Sequence, residues 1–392
     1  MFPTCPKFPV RPAVLLAALT LLSITTVLYF QRATLSPHIS AHLSRLSELT
    51  QDLRLSLSSH WSSVVDEQRQ CPFDPFHAPG MIYWGNAANQ TRWVPFPRDL
   101  ETYSDSEKMA KITELERDWE GLTEPEMMEL GAADRFMWEM VEGGGEWARG
   151  RNILILGDRN NIVNFCKIMK GTIKNWGGHT GGWCRVESID LTIVWWFLFG
   201  IVDSEYPWYV DNEKEPKTFD HRIDEIFLPR MEKEGLREFT PDLGIVNSLY
   251  WDSDHLFDQY DRQFNLTRKQ DQGLTYQEVR YHQTHSAALV RRLRALYGTF
   301  LPLMYRARHI RASNYRGLML RITQLDQGWR AVSETMGLKV LEWGERLEGY
   351  TDFYDTRQHF PPGPVTWFFG DMMLFYLKQA MDPERWWACL WQ

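Results

Sequence analysis

The chain lacks any long run of lysine or arginine, and its formal charge is −8 over 392 residues. That excludes the basic stripe with which a protein neutralises nucleic-acid phosphates. Internal repeats and low-complexity blocks are also missing, apart from a serine-rich stretch near the N-terminus, which excludes a solenoid or propeller. Cysteine is scarce, at 5 residues. Aromatic residues are not: 18 tryptophans contribute to an aromatic content of 14%. Most of these rings are expected to fill a core, although such faces also stack on the weakly apolar C–H faces of sugars. The length allows one large domain or two medium ones.

Charge is absent again from Ala13 to Phe30, AVLLAALTLLSITTVLYF. An uncharged run of that length is near the minimum for a membrane-spanning helix. It exceeds the apolar region of a signal peptide, and no A-x-A cleavage pattern follows closely. It therefore reads as an uncleaved signal anchor. Lys7 and Arg11 precede it and Arg32 follows, so residues 1–12 are expected in the cytosol and the remainder in the lumen. The expected location is a secretory-pathway membrane, Golgi or ER, in type II orientation. In residues 31–70, Ile39, Leu43, Leu46, Leu53, Leu57, Trp61 and Val64 recur at near-helical spacing. This is either a self-associating stalk or a helix folded back on the domain.

The segment CPFDPFHAPG from Cys71 breaks any helix and marks the start of the globular part. Cys5 falls on the cytosolic side. Cys71, Cys166, Cys184 and Cys389 form an even set in an oxidising compartment, with three pairings open. Cys166–Cys184 and Cys71–Cys389 are favoured over the alternatives, free buried thiols among them. Asn89 and Asn265 head glycosylation sequons.

Between Met81 and Trp147 no strong strand pattern appears, and Ser106–Glu116 and Glu124–Glu142 look helical. From residue 151 strands and helices alternate. Strands are expected at Asn152–Leu156, Ile189–Phe199, Leu243–Ser248, Pro302–Arg306 and Lys339–Trp343. Helices are expected at Asn160–Met169, Tyr276–Tyr297, Tyr315–Met336 and Val365–Met381. The alternation predicts a flavodoxin-like three-layer α/β/α fold on a parallel five-stranded sheet. Residues 71–150 would be an irregular, helical N-terminal part, and residues 151–392 the α/β domain.

Open sheets of this kind bind ligands at the carboxyl ends of their strands. Those ends carry Gly157-Asp158, Asn247-Ser248, Arg306 with His309, and Asp355 with His359 in YTDFYDTRQHFPPGP. An aspartate and a histidine in one loop can make a general base, and an asparagine amide can donate to an oxyanion. Each residue also has a plain structural use: Asp158 as a helix cap, Asn247 as a strand end, His359 as a surface residue before a turn.

The blocks ILILGD, PDLGIVNSLYWD, LMYRARH and DTRQHFPPGPVTWFFGDMML, in this order, resemble the SGNH or GDSL-type hydrolases. They are most similar to the PC-esterase and trichome-birefringence-like branch, and the resemblance covers about residues 151–381. It implies a glycan O-acyl esterase or acyltransferase in which a serine after Gly-Asp attacks the acyl carbonyl. Carried over, Asp158 precedes the nucleophile, Asn247 is the oxyanion amide, Gly200 an oxyanion glycine, and Asp355 and His359 complete the triad. Arg306 and His309 would support them. No cofactor or metal is implied, and the implied partner is a glycan or acylated polysaccharide.

Two positions depart from the pattern. Where the family reads Gly-Asp-Ser-x-Asp-Arg-Asn, the chain reads GDRNN, with Arg159 in the serine's place. A guanidinium cannot attack a carbonyl. Asp355 and His359 stand four apart, against three in the family. These departures leave a second reading, an inactive module that binds a glycan or a protein. A third is a type II glycosyltransferase holding a metal through Asp252 and Asp254.

Overall fold

The computed structural model describes residues 71–390 other than 72, 86, 97–122, 130, 158, 178–179, 203–217, 310–315 and 351–359. The expected anchor, the stem, the helix at Ser106–Glu116, and Asp158, Asp355 and His359 lie outside the described residues. Among the described residues no helix is long and apolar enough to cross a membrane. Residues 71–392 form one compact unit.

Its centre is a mostly parallel sheet of seven strands. The run NILIL makes β3 (Asn152–Leu156) because it is apolar at successive positions, as suits a strand covered on both faces. β6 (Leu191–Trp196), β7 (Leu243–Val246), β8 (Leu303–Arg306) and β9 (Lys339–Leu341) run parallel to it. Across the sheet they lie β6-β3-β7-β8-β9. Ranked along the chain this is 2-1-3-4-5, the flavodoxin-like doubly wound order.

The sheet is wider than expected. The hairpin of β4 (Thr172–Asn175) and β5 (Gly181–Val186) adds antiparallel strands beside β6. A second hairpin, β1 (Gly80–Tyr83) with β2 (Arg92–Pro95), forms where no strand pattern was evident. The single acidic helix expected over 124–142 is two: α1 (Glu124–Glu129) and α2 (Phe136–Val141). The Ala132 amide turns back to the Met127 carbonyl at 3.0 Å and ends the first.

Side chains alternate along the strands and build a core on each face. Ile153, Ile155, Ile193 and Ile245 pack with Phe165 of α3 (Asn160–Ile168) and with the last long helix. Leu154, Leu156, Val194 and Val246 face Phe227 of α4 (219–233) and Leu256 of α5 (250–264). Beside these pack Leu289 of α6 (Tyr276–Tyr297) and Trp329 of α7 (Arg316–Met336). The result is three layers. A capping box starts α6: Thr275 accepts from the Glu278 amide, and Glu278 accepts from the Thr275 amide at 2.7 Å.

Two disulfides fix the unit. Cys71 is bonded to Cys389, 318 residues away, and Cys166 to Cys184, 18 away. Cys184 lies on the added hairpin, so its bond ties α3 to β5. The loop-closure entropy removed from the unfolded chain is greater for the longer span, roughly 6 kcal/mol against about 3.

After the short α8 (Trp343–Arg346), α9 (Pro364–Ala380) is buried along nearly all its length, and α10 (Pro383–Ala388) follows. One acid sits inside α9. Asp371 accepts the Met137 amide at 2.7 Å in the first turn of α2. Burial pushes its carboxyl up to about 8, against the smaller opposing effects of that hydrogen bond and of Arg135 and Arg92. Between about pH 4 and pH 8 the folded chain therefore keeps a proton that the unfolded chain has lost. Stability from this group is full below that window and falls through it, by up to ~1.4 kcal/mol per pH unit. Urea denaturation across the range should show a steeper loss for the native sequence than for Asp371→Asn, whose amide oxygen still accepts from Met137.

Candidate functional site

Doubly wound sheets form their binding crevice where the chain reverses direction across the sheet, which here is at the carboxyl ends of β3 and β7. β3 leaves the sheet through Gly157, whose amide donates to the Trp196 carbonyl at 3.0 Å. Its φ is 133°, and a Cβ there would stand 2.8 Å from the Asn247 carbonyl oxygen. Only glycine lets the two strand exits approach this closely. Arg159 follows as the exposed N-cap residue of α3, and its side chain makes no capping bond. A cation opposes the positive end of the helix dipole, so this arginine is not placed there to stabilise α3.

Asn247 is held from both sides. Its backbone amide donates to the Leu156 carbonyl at 2.9 Å. Its side-chain Nδ2 donates to the Arg306 carbonyl at 2.8 Å, and Arg306 donates back to Oδ1 at 3.2 Å. Arg306 is buried, with its guanidinium 5.6 Å from the Trp343 ring. The asparagine amide is thus oriented by β8, with one Nδ2 hydrogen bond accounted for by that strand.

His309, also buried, continues from β8. Its ring lies 5.4 Å from Tyr250, 5.8 Å from Trp343 and 5.8 Å from Phe360. The Tyr250 hydroxyl donates to its carbonyl at 2.6 Å. Phe360 directly follows His359, and its carbonyl accepts from Asn164 of α3 at 3.3 Å. The segment leading into α9 therefore meets α3 and His309 at the same edge as Gly157 and Asn247.

A second cluster lies beneath this edge, centred on Asp252, which is fully buried. Its Oδ1 accepts the Ile201 amide at 2.7 Å and the Val202 amide at 3.1 Å. Its Oδ2 accepts from the Ser248 hydroxyl and lies 3.1 Å from His282 Nε2. Burial alone would raise this carboxyl; His282 first, then the Ser248 hydroxyl, outweighs it and holds the group below its ordinary value. Gly200 has φ 99°, and a Cβ there would lie 2.5 Å from Asp252 Oδ1. A glycine is required at that point by the carboxylate it rests on.

These contacts show how several residues singled out in the sequence are used. Asp252-Ser253-Asp254 is a helical turn at the start of α5, not a loop after a strand. Asp252, with protein donors on both oxygens, does not offer them to a metal, and no cluster of metal-ligating side chains occurs among the described residues. The amides after Gly200 serve Asp252. Ser248 gives its proton to the carboxylate directly, whereas a nucleophile needs a base such as histidine beside it. His282 was missed altogether. Its signal was present: it occupies the stripe His282, Ser286, Leu289, Val290, Leu293, the buried face of α6. Of the sequons, Asn265 is exposed, and Asn89 is half-buried with its carbonyl accepting from Arg135 at 2.6 Å.

No protein-family model, curated protein or solved structure matches this chain.

Removing the Asp252 carboxylate leaves a buried imidazole, a hydroxyl and two amides without their acceptor. Asp252→Ala should lower unfolding stability by about 3–5 kcal/mol in urea titration, well beyond a surface Asp→Ala.

Proposed function

We propose that this chain is an SGNH-like lumenal protein, anchored by its N-terminal segment in a secretory-pathway membrane. On this reading it descends from glycan O-acyl esterases or acyltransferases and binds a glycan at the strand-end crevice without serine-ester chemistry. The strand order, the turn at Gly157 and the oriented amide of Asn247 are what such an ancestry requires. The two disulfides suit an oxidising compartment.

The observation that carries the binding reading is the fate of the hydroxyl and the identity of the turn residue. Ser248 is committed to Asp252, and the N-cap residue of α3 at the end of the turn is an exposed arginine. A covalent acyl intermediate needs a nucleophile that the described residues of the crevice do not supply. A permanent cation at its mouth favours an acidic sugar, because carboxylates take paired hydrogen bonds from guanidinium. The glycosyltransferase reading is disfavoured by the full set of donors on Asp252.

The full chain in detergent should bind a glucuronic-acid-bearing xylo-oligosaccharide more tightly than the neutral one. Arg159→Ala should weaken binding of the acidic form by about tenfold, leaving thermal stability unchanged. A fluorophosphonate probe should label no residue. Labelling abolished by mutating one serine would overturn the binding reading in favour of an active esterase.

A further inference from the structure

Away from the crevice, a cavity of about 360 Å³ lies along the outer strand β9, bounded by residues of the N-terminal segment, α7, α9 and the chain end. Its polar lining includes Asp74, Arg330, Lys339, Glu342, Tyr376 and Gln379. The volume falls within the range of small-molecule sites.

Most of the charge around it is already matched. Arg330 donates to Asp326 at 2.8 Å, to both oxygens of Glu342 at 2.7 Å and to Glu345 at 2.6 Å. Two charged groups retain hydrogen-bonding capacity toward a ligand. Lys339 Nζ donates to Gln379 Oε1 at 2.9 Å and sits 4.9 Å from the Trp386 ring, which leaves ammonium hydrogens unused by these contacts. Burial holds this amine below the ordinary lysine value, with Asp74 opposing. Asp74 accepts the Phe76 and His77 amides on Oδ1, at 3.0 and 3.1 Å, and the Tyr376 hydroxyl on Oδ2 at 2.9 Å. One more lone pair remains on Oδ2.

We propose that this cavity is a second binding site, for a small neutral polyol such as one sugar unit, with Lys339 donating to ring hydroxyls and Asp74 accepting from them. Gln379, whose oxygen is taken by Lys339, keeps its amide N–H groups as further donors. Hydroxyls are the ligand groups that can both donate and accept, as this pair demands. An anion is opposed by the lining, where Arg330 and Lys339 face Asp74, Glu334 and Glu342. A cation would meet the Lys339 ammonium. The site is independent of the crevice: β9 is separated from β7 by β8.

The test uses the full chain and the methyl glycosides of xylose, glucose, mannose and galactose, which have no free carbonyl. Lysines are reductively methylated, and the peptide bearing Lys339 is quantified by mass spectrometry. At least one glycoside should slow methylation of Lys339 by about tenfold, with exposed Lys170 as the unprotected control. Protection should persist in Arg159→Ala and Asn247→Ala, which alter the crevice, and be lost in Gln379→Leu. If no glycoside protects Lys339, or sodium phosphate protects it in their place, the proposal is overturned. Loss of protection in Arg159→Ala with retention in Gln379→Leu would also overturn it, by assigning the sugar to the crevice.

Discussion

A buried carboxylate must be met by donors or it unfolds the region around it. Asp252 is met by four, drawn from three parts of the chain: the amides of Ile201 and Val202 after β6, the hydroxyl of Ser248 after β7, and His282 inside α6. The desolvation cost of such a charge is several kcal/mol, and only this full set offsets it. The strand exits on both sides of β3 are thereby joined through one side chain. Gly200 follows from the same constraint, because any Cβ there would strike Asp252.

The edge above inherits its shape from that junction. β3 leaves between two fixed neighbours and turns at Gly157 against the Asn247 backbone. Asn247 is then oriented by Arg306, and Arg306 by burial beside Trp343. The frame is rigid and polar, yet its hydroxyl is spent internally and its exposed turn residue is a cation. The proposed binding role rests on that combination. The cavity along β9, the proposed second site, lies at a different part of the sheet with its own donors and acceptors.

Much of this was legible in the sequence. The five parallel strands stood out because each is a short apolar run closed by glycine, asparagine or a charged residue, the pattern of a strand covered on both faces. The β4–β5 hairpin did not stand out: β4 is largely exposed, and β5 opens with Gly181-Gly182, residues that weaken a strand pattern. The helices 219–233 and 250–264 each contain a π-turn, at Ile223–Phe227 and His255–Gln259, which breaks the regular spacing of apolar residues. Asn247, Arg306 and His309 come together as a group at one edge. The Asp252 junction could not be read in advance, because its partners lie 4, 30 and about 50 positions away along the chain. The roles expected of Asp158, Asp355 and His359 fall on residues outside the described structure.

Hydrogen exchange at the Ile201 and Val202 amides tests the central junction most directly. Both donate to Asp252 from a segment that is neither helix nor strand, where amides usually exchange fast. Protection comparable to the β3 amides in the native chain, lost in Asp252→Ala, which removes the acceptor oxygen, is the predicted result. Rapid exchange of both in the native chain would contradict the claim that one buried carboxylate organises the strand ends.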